Sequence, residues 1–111
     1  SNAGHYLETY IISELVKTYD ANGIDSNISY FRDKDKNEID LVIYKNDTLY
    51  PFEIKKTALP KESMINSFKL LEKSGTKVAP GGLICFYEDL IHLDDKNYII
   101  PISSVINIIK H

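Results

Sequence analysis

Long apolar runs are missing from this sequence: no stretch approaches the roughly 18 consecutive apolar residues that a membrane span needs. No secretory leader is visible. Cysteine occurs once, as Cys85, so no intrachain disulfide can form. Its neighbours Leu83, Ile84 and Phe86 mark it as a small buried side chain. Nothing calls for an oxidising compartment, and the expected location is the cytoplasm. Histidine is scarce too. His5, His92 and His111 lie far apart and show no metal-ligand spacing. There is no glycine-rich phosphate loop. Gly81-Gly82 precedes an apolar stretch and reads as a turn. No serine stands in a recognisable nucleophile–base arrangement. A strong basic surplus, the usual footprint of nucleic-acid binding, is absent as well: the net charge is −3.

That charge is unevenly spread. Residues 1–31 carry one lysine against four acids, and residues 78–111 two lysines against four acids. Residues 32–77 carry ten basic and eight acidic residues, so most of the positive charge falls in the middle of the chain. A total of 111 residues suits one domain with a hydrophobic core. Ser1-Asn2-Ala3 reads as an expression-tag remnant, and Gly4 runs directly into a helical pattern without an initiator methionine. The expectation is one domain over residues 4–111, cut from the C-terminal part of a longer protein.

Leu7, Ile11, Ile12, Leu15, Val16 and Tyr19 share one side of a helix, which Asn22-Gly23 stops. Strand-like stretches follow at 27–32, 38–45 and 48–55. Pro60 can open a second helix, with Met64, Ile65, Phe68 and Leu71 inward and an end near Gly75. Lys69, Lys73 and Lys77, at i,i+4 spacing, could face phosphate, but a solvated helix face is the plainer reading. Further strands are expected at 82–87 and 98–102. A last helix from Ser103-Ser104 would use Val105, Ile106 and Ile109. The order predicts an α/β fold, a mixed central sheet flanked by helices.

Chemistry concentrates between Glu38 and Lys55. If Asn46-Asp47 forms a two-residue hairpin loop, Lys45 pairs with Thr48 and Asp40 falls opposite Glu53. Val42–Pro51 and Asp40–Glu53 are then both non-hydrogen-bonded pairs, so Pro51 costs this ladder no donor and the two carboxylates lie close. Opposed carboxylates repel and call for a cation. Lys55 lies on the same strand face as Glu53, with Glu38 across the ladder from it. Glu8 sits in the middle of the first helix's apolar arc, where an unpaired carboxylate costs several kcal/mol. A packed helix would aim it at the hairpin acids. Asp40 and Glu53 with Glu8 are therefore candidate ligands for Mg²⁺ or Mn²⁺, and Lys55 a candidate to orient water or stabilise phosphate charge. The plainer alternative is a solvated sheet face with a Glu38–Lys55 ion pair.

These blocks resemble the PD-(D/E)XK superfamily of restriction-endonuclease-like proteins: Glu8 on the first helix, Arg32…Glu38-Ile39-Asp40, and Glu53-Ile54-Lys55. More specifically, Gly4-x-x-Leu7-Glu8, Tyr30-Phe31-Arg32 and Pro51-Phe52-Glu53-Ile54-Lys55 are similar to a domain of unknown function found C-terminal to prokaryotic AAA-type ATPases. The resemblance implies an αβββαβ core and Mg²⁺-dependent hydrolysis of nucleic-acid phosphodiesters. It implies that Asp40 and Glu53 are metal ligands, Glu8 an auxiliary ligand and Lys55 the residue steering water or charge. The implied partners are nucleic acid and an N-terminal ATPase domain of the same polypeptide, with no membrane. One departure stands out. The Gln and Tyr that RecB-like nucleases add from the next helix are replaced here by Ser63, Asn66 and Lys69. The alternative function is a non-catalytic module of the same fold for protein or DNA recognition or ATPase assembly.

Overall fold

The computed structural model describes residues 2–23 and 27–110; of residues 2–4 and 108–110, Gly4 and Ile109 among them, the backbone alone is described, and Ser1 and His111 lie outside the described residues. The order is helix α1 (Asn2–Ala21), strands β1 (Asn27–Arg32), β2 (Glu38–Lys45) and β3 (Thr48–Ile54), then a 3-10 helix (Glu62–Ser74). Strands β4 (Lys77–Val78), β5 (Gly82–Cys85), β6 (Ile91–His92) and β7 (Tyr98–Pro101) and helix α2 (Ile102–Lys110) complete it. The fold is mixed α/β. One seven-stranded sheet runs β1-β2-β3-β5-β7-β6, with β4 joined to β3. The β1–β2–β3 meander is antiparallel, β3, β5 and β7 are mutually parallel, and β6 returns antiparallel to β7.

The helices cover opposite faces. Ile65, Phe68 and Leu71 of the 3-10 helix pack with Ile39, Val42, Leu83, Cys85 and Ile99. Ile11 and Leu15 of α1, with Ile102 and Val105 of α2, pack on Leu41, Ile54 and Ile84. Strand β5 is buried along its whole length because both faces are covered, which is why its sequence is continuously apolar. Cys85 is fully buried, as its apolar neighbours predict. Among the described residues no helix is long and apolar enough to cross a membrane.

The hairpin forms as its sequence dictates. Asn46 and Asp47 both take positive φ (53° and 59°), and the pairs run from Lys45–Thr48 through Val42–Pro51 to Leu41–Phe52. Pro51 therefore leaves the β2 ladder intact. Its missing N–H falls on the other edge, where β4 and β5 are separated by Ala79–Gly81. There the backbones come so close that a Cβ on Gly81 would run into the Pro51 carbonyl. The side-chain oxygen of Asn97 accepts the Gly81 N–H at 2.9 Å, and the Gly81 carbonyl accepts the Tyr98 N–H at 3.0 Å. Gly81-Gly82 is thus a close-packed seam more than a simple turn.

Three expectations change. The second helix is not α: residues 62–74 wind as 3-10 in two pieces that meet at a kink at Ile65 (φ −114°, ψ 18°), and end at Gly75 with φ 77°. Its buried positions, Ile65, Phe68 and Leu71, recur every three residues, the period of a 3-10 turn. At that period Lys69 and Lys73 do not share a face, and Lys77 lies in β4, so the lysine stripe dissolves. Short strands β4 and β6, two residues each, were too brief to show periodicity.

Gly81→Ala is expected to lower unfolding stability by about 3 kcal/mol, because backbone and not a flexible side chain blocks the added methyl. Urea denaturation of the purified variant measures it; an unchanged midpoint would mean the seam can open without cost.

Candidate metal centre

Strands β2 and β3 part company after Leu41–Phe52. In an unbroken ladder the next hydrogen-bonded pair would be Ile39–Ile54. Instead the Ile54 N–H donates to Asp40 Oδ2 at 2.9 Å, and the Asp40 N–H donates to Glu53 Oε1 at 2.9 Å. Each acid thus satisfies the backbone of the opposite strand. On the far side, β3 stays attached to β5: Glu53 pairs with Leu83, and the Lys55 N–H donates to the Ile84 carbonyl at 2.9 Å. The result is a fork with Asp40 on one arm and Glu53 on the other, at the carboxyl ends of the parallel strands. Open α/β sheets commonly bind ligands at that edge.

A bulge accompanies the fork. The β1–β2 register passes from Ser29–Val42 to Phe31–Ile39, so Asp40 and Leu41 together face Tyr30 alone. The consequence shows in the packing. Ile39 and Val42 lie on the 3-10 face, whereas Leu41 and Ile43 lie on the α1 face. One inserted residue switches the sides and re-aims Asp40.

Burial sets the electrostatics. Glu53 is only 5% exposed. Loss of hydration, reinforced by the Asp40 charge, pushes its carboxyl up to about 7, although the Asp40 N–H and Lys55 oppose the shift. Burial also raises the Asp40 carboxyl, against the lowering effect of the Ile54 N–H and Lys55. The half-buried Glu8 is raised by burial and then by the Asp40 charge, with His5 and Lys55 pulling the other way. Lys55 holds its ammonium 3.8 Å from Glu53 Oε2, with a partly exposed side chain.

Asp40, Glu53 and Lys55 are therefore gathered at one point, and Glu8 lies within electrostatic range from α1. Glu8 does not complete a tight ligand cluster: among the described residues no three His, Cys, Asp or Glu side chains could hold a metal ion. The pair of strand acids fits a magnesium site of the sparse kind, in which one or two carboxylates leave the remaining positions to water and substrate. Asp40 Oδ1 and Glu53 Oε2 take no part in the two backbone hydrogen bonds.

Glu38 is placed differently from expectation. It does not stand across from Lys55, because the ladder has already opened; it pairs with Arg32 on β1, at 3.3 Å and with both side chains about half exposed. The bulge and the carboxylate–amide exchange were missed by reading the sequence. Their signal was present in Ile39-Asp40-Leu41-Val42-Ile43, where apolar residues occupy both strand parities.

A family model described as "Domain of unknown function (DUF4143)" matches residues 3–105. The chain belongs to the DUF4143 family. The match spans all the blocks that form the fork, from Glu8 to Lys55. No curated protein and no solved structure matches this DUF4143 chain.

The raised Glu53 carboxyl fixes a pH dependence. In the fold it keeps its proton up to about pH 7, against an ordinary glutamate value of 4.5. Between those values the native state binds more protons than the unfolded chain, so stability falls as pH rises. The fall is at most on the order of 3 kcal/mol. Without divalent metal, the urea midpoint is expected to drop between about pH 5 and 7.5, and Glu53→Gln should flatten the profile. A midpoint that climbs across this interval would contradict the assignment.

Proposed function

We propose that the fork is the reactive centre of a nuclease-like domain, hydrolysing nucleic-acid phosphodiesters with Mg²⁺ or Mn²⁺ alongside an AAA-type ATPase on the same polypeptide. The observation that carries this reading is the convergence of Asp40, Glu53 and the Lys55 ammonium at the open end of β2 and β3. The sequence resemblance to restriction-endonuclease-like proteins supports the same reading.

In this reading Asp40 and Glu53 would hold the cation. The cation supplies a Lewis acid for the phosphoryl oxygen and a lowered pKa for bound water. Lys55, anchored through its N–H to β5, stabilises negative charge on the phosphate or orients water. Glu8 would act as an auxiliary group, holding a proton more firmly than a free carboxylate does. Binding a cation expels the Glu53 proton, so affinity should rise with pH through about 7.

A second reading has its own support: two tightly placed acids instead of three and a net charge of −3 suit a non-catalytic module for protein or DNA recognition or ATPase assembly. A thermal titration with Mg²⁺ and Mn²⁺ separates the two. At one hundred times the dissociation constant the parent should gain about 2.7 kcal/mol, and Asp40→Asn should lose most of that gain. Metal-dependent cleavage of single- and double-stranded oligonucleotides should vanish in Lys55→Ala while its metal-induced stabilisation remains. Equal metal response in parent and Asp40→Asn would move the function to the non-catalytic module.

A further inference from the structure

A second concavity, separate from the fork, lies between the 3-10 helix and the Asp94–Asn97 turn and has a volume of about 310 Å³. Its floor is apolar: the half-buried Val78 lies there above the buried Pro51, Ile65, Phe68 and Ala79. Its rim is charged and lopsided. Glu62 and Glu72 come from the helix, and Asp94 and Asp95 from the turn; two lysines face them. Of those lysines, Lys96 is tied to the Val78 carbonyl at 3.3 Å. Among the described residues none of the four rim acids forms an ion pair.

The 3-10 winding explains how one helix supplies both floor and rim. Beyond the kink at Ile65 (φ −114°, ψ 18°), three residues per turn put Asn66, Lys69 and Glu72 in one row, beside a row that begins with the buried Phe68. The two rows present an apolar ledge beside a polar ridge. An α-helix would rotate these positions out of line. The opposite wall is held rigid. The Asp94 carboxylate accepts the backbone N–H of Lys96 at 2.9 Å and of Asn97 at 2.6 Å, while the buried Asn97 is bonded to Gly81.

We propose that this cleft docks an arginine- or lysine-bearing segment of a partner polypeptide. A basic side chain matches both features at once: its methylene stem covers the apolar floor and its cationic head reaches the rim carboxylates. An acidic segment would meet a net excess of negative charge, and a purely apolar one would leave the rim carboxylates unmatched. The cleft lies on the 3-10 face, and its floor is reached from the amino ends of β5 and β7. A segment seated there leaves the fork at the carboxyl ends free, so this inference stands independently of any chemistry at Asp40 and Glu53.

The test is amide chemical-shift mapping by NMR on the 111-residue chain, titrated with a short capped peptide carrying two arginines. A peptide with glutamates in their place is the control. Shifts should concentrate at residues 62–72 and 94–97 for the basic peptide alone. The double variant Glu72→Gln/Asp95→Asn, both positions exposed, should keep the parent melting temperature and weaken binding roughly fivefold. Shifts centred on Glu8, Asp40 and Glu53, an equal response to the acidic peptide, unchanged affinity in the double variant, or no binding at millimolar peptide would each overturn the proposal.

Discussion

Two hydrogen bonds across the fork, Ile54 N–H to Asp40 and Asp40 N–H to Glu53, are the constraint around which the acid site is arranged. Without them the sheet could not open where it does, because the separated strands would leave backbone donors buried and unpaired. The Asp40 carboxylate is well suited to this substitution: when ionised it accepts only, and a charge-assisted bond to the Ile54 amide is stronger than the neutral ladder bond it replaces. The acids therefore belong to the backbone as much as to any ligand. Their positions are fixed to within the tolerance of a β-ladder.

This double role makes the chemistry of a substitution matter. Asparagine at position 40 retains an oxygen for the Ile54 N–H and removes only charge. Alanine would orphan that donor, and the loss of a partner by a buried amide costs about 1–3 kcal/mol whatever the site does. The same logic holds for glutamine at position 53. Glu53 carries the greater electrostatic burden, since it is almost wholly buried and faces the Asp40 charge. Lys55 relieves that only partly, from 3.8 Å and with its own head hydrated. A fork without a bound cation is thus held under tension between backbone satisfaction and charge repulsion, and partial protonation of Glu53 is the release.

Much of this was legible in the sequence because it depended on local rules. Asn46-Asp47 set the hairpin loop, the loop set the register, and the register brought Asp40 toward Glu53. The amphipathic stripe of α1 likewise placed Ile11 and Leu15 in the core, with Glu8 beside them. What escaped were features decided by neighbours in space. The ladder that the loop dictates stops at Leu41–Phe52, where side chains replace it, so Glu38 does not stand against Lys55. The bulge at Asp40–Leu41 exists because β1 and β3 make different demands on the same strand. The 3-10 winding of residues 62–74 was hidden in a pattern that both helix types can accommodate: Met64 and Ile65, then Phe68, then Leu71. Only the exposure of Glu72 beside the buried Leu71 separates them.

The proline in β3 links the two ends of the molecule. Pro51 sits in a non-hydrogen-bonded pair toward β2, so the hairpin that carries Asp40 and Glu53 tolerates it. Toward β5 it has no N–H to give, and the neighbouring chain answers by breaking into β4 and β5 around Ala79–Gly81. That break admits the Gly81 backbone against the Pro51 carbonyl, and it recruits Asn97 to satisfy the Gly81 amide. The same break sets the half-buried Val78 and the buried Ala79 and Pro51 beneath the second cleft. One residue without a donor thus leaves the acid fork intact on one edge of its strand and shapes a concave surface on the other.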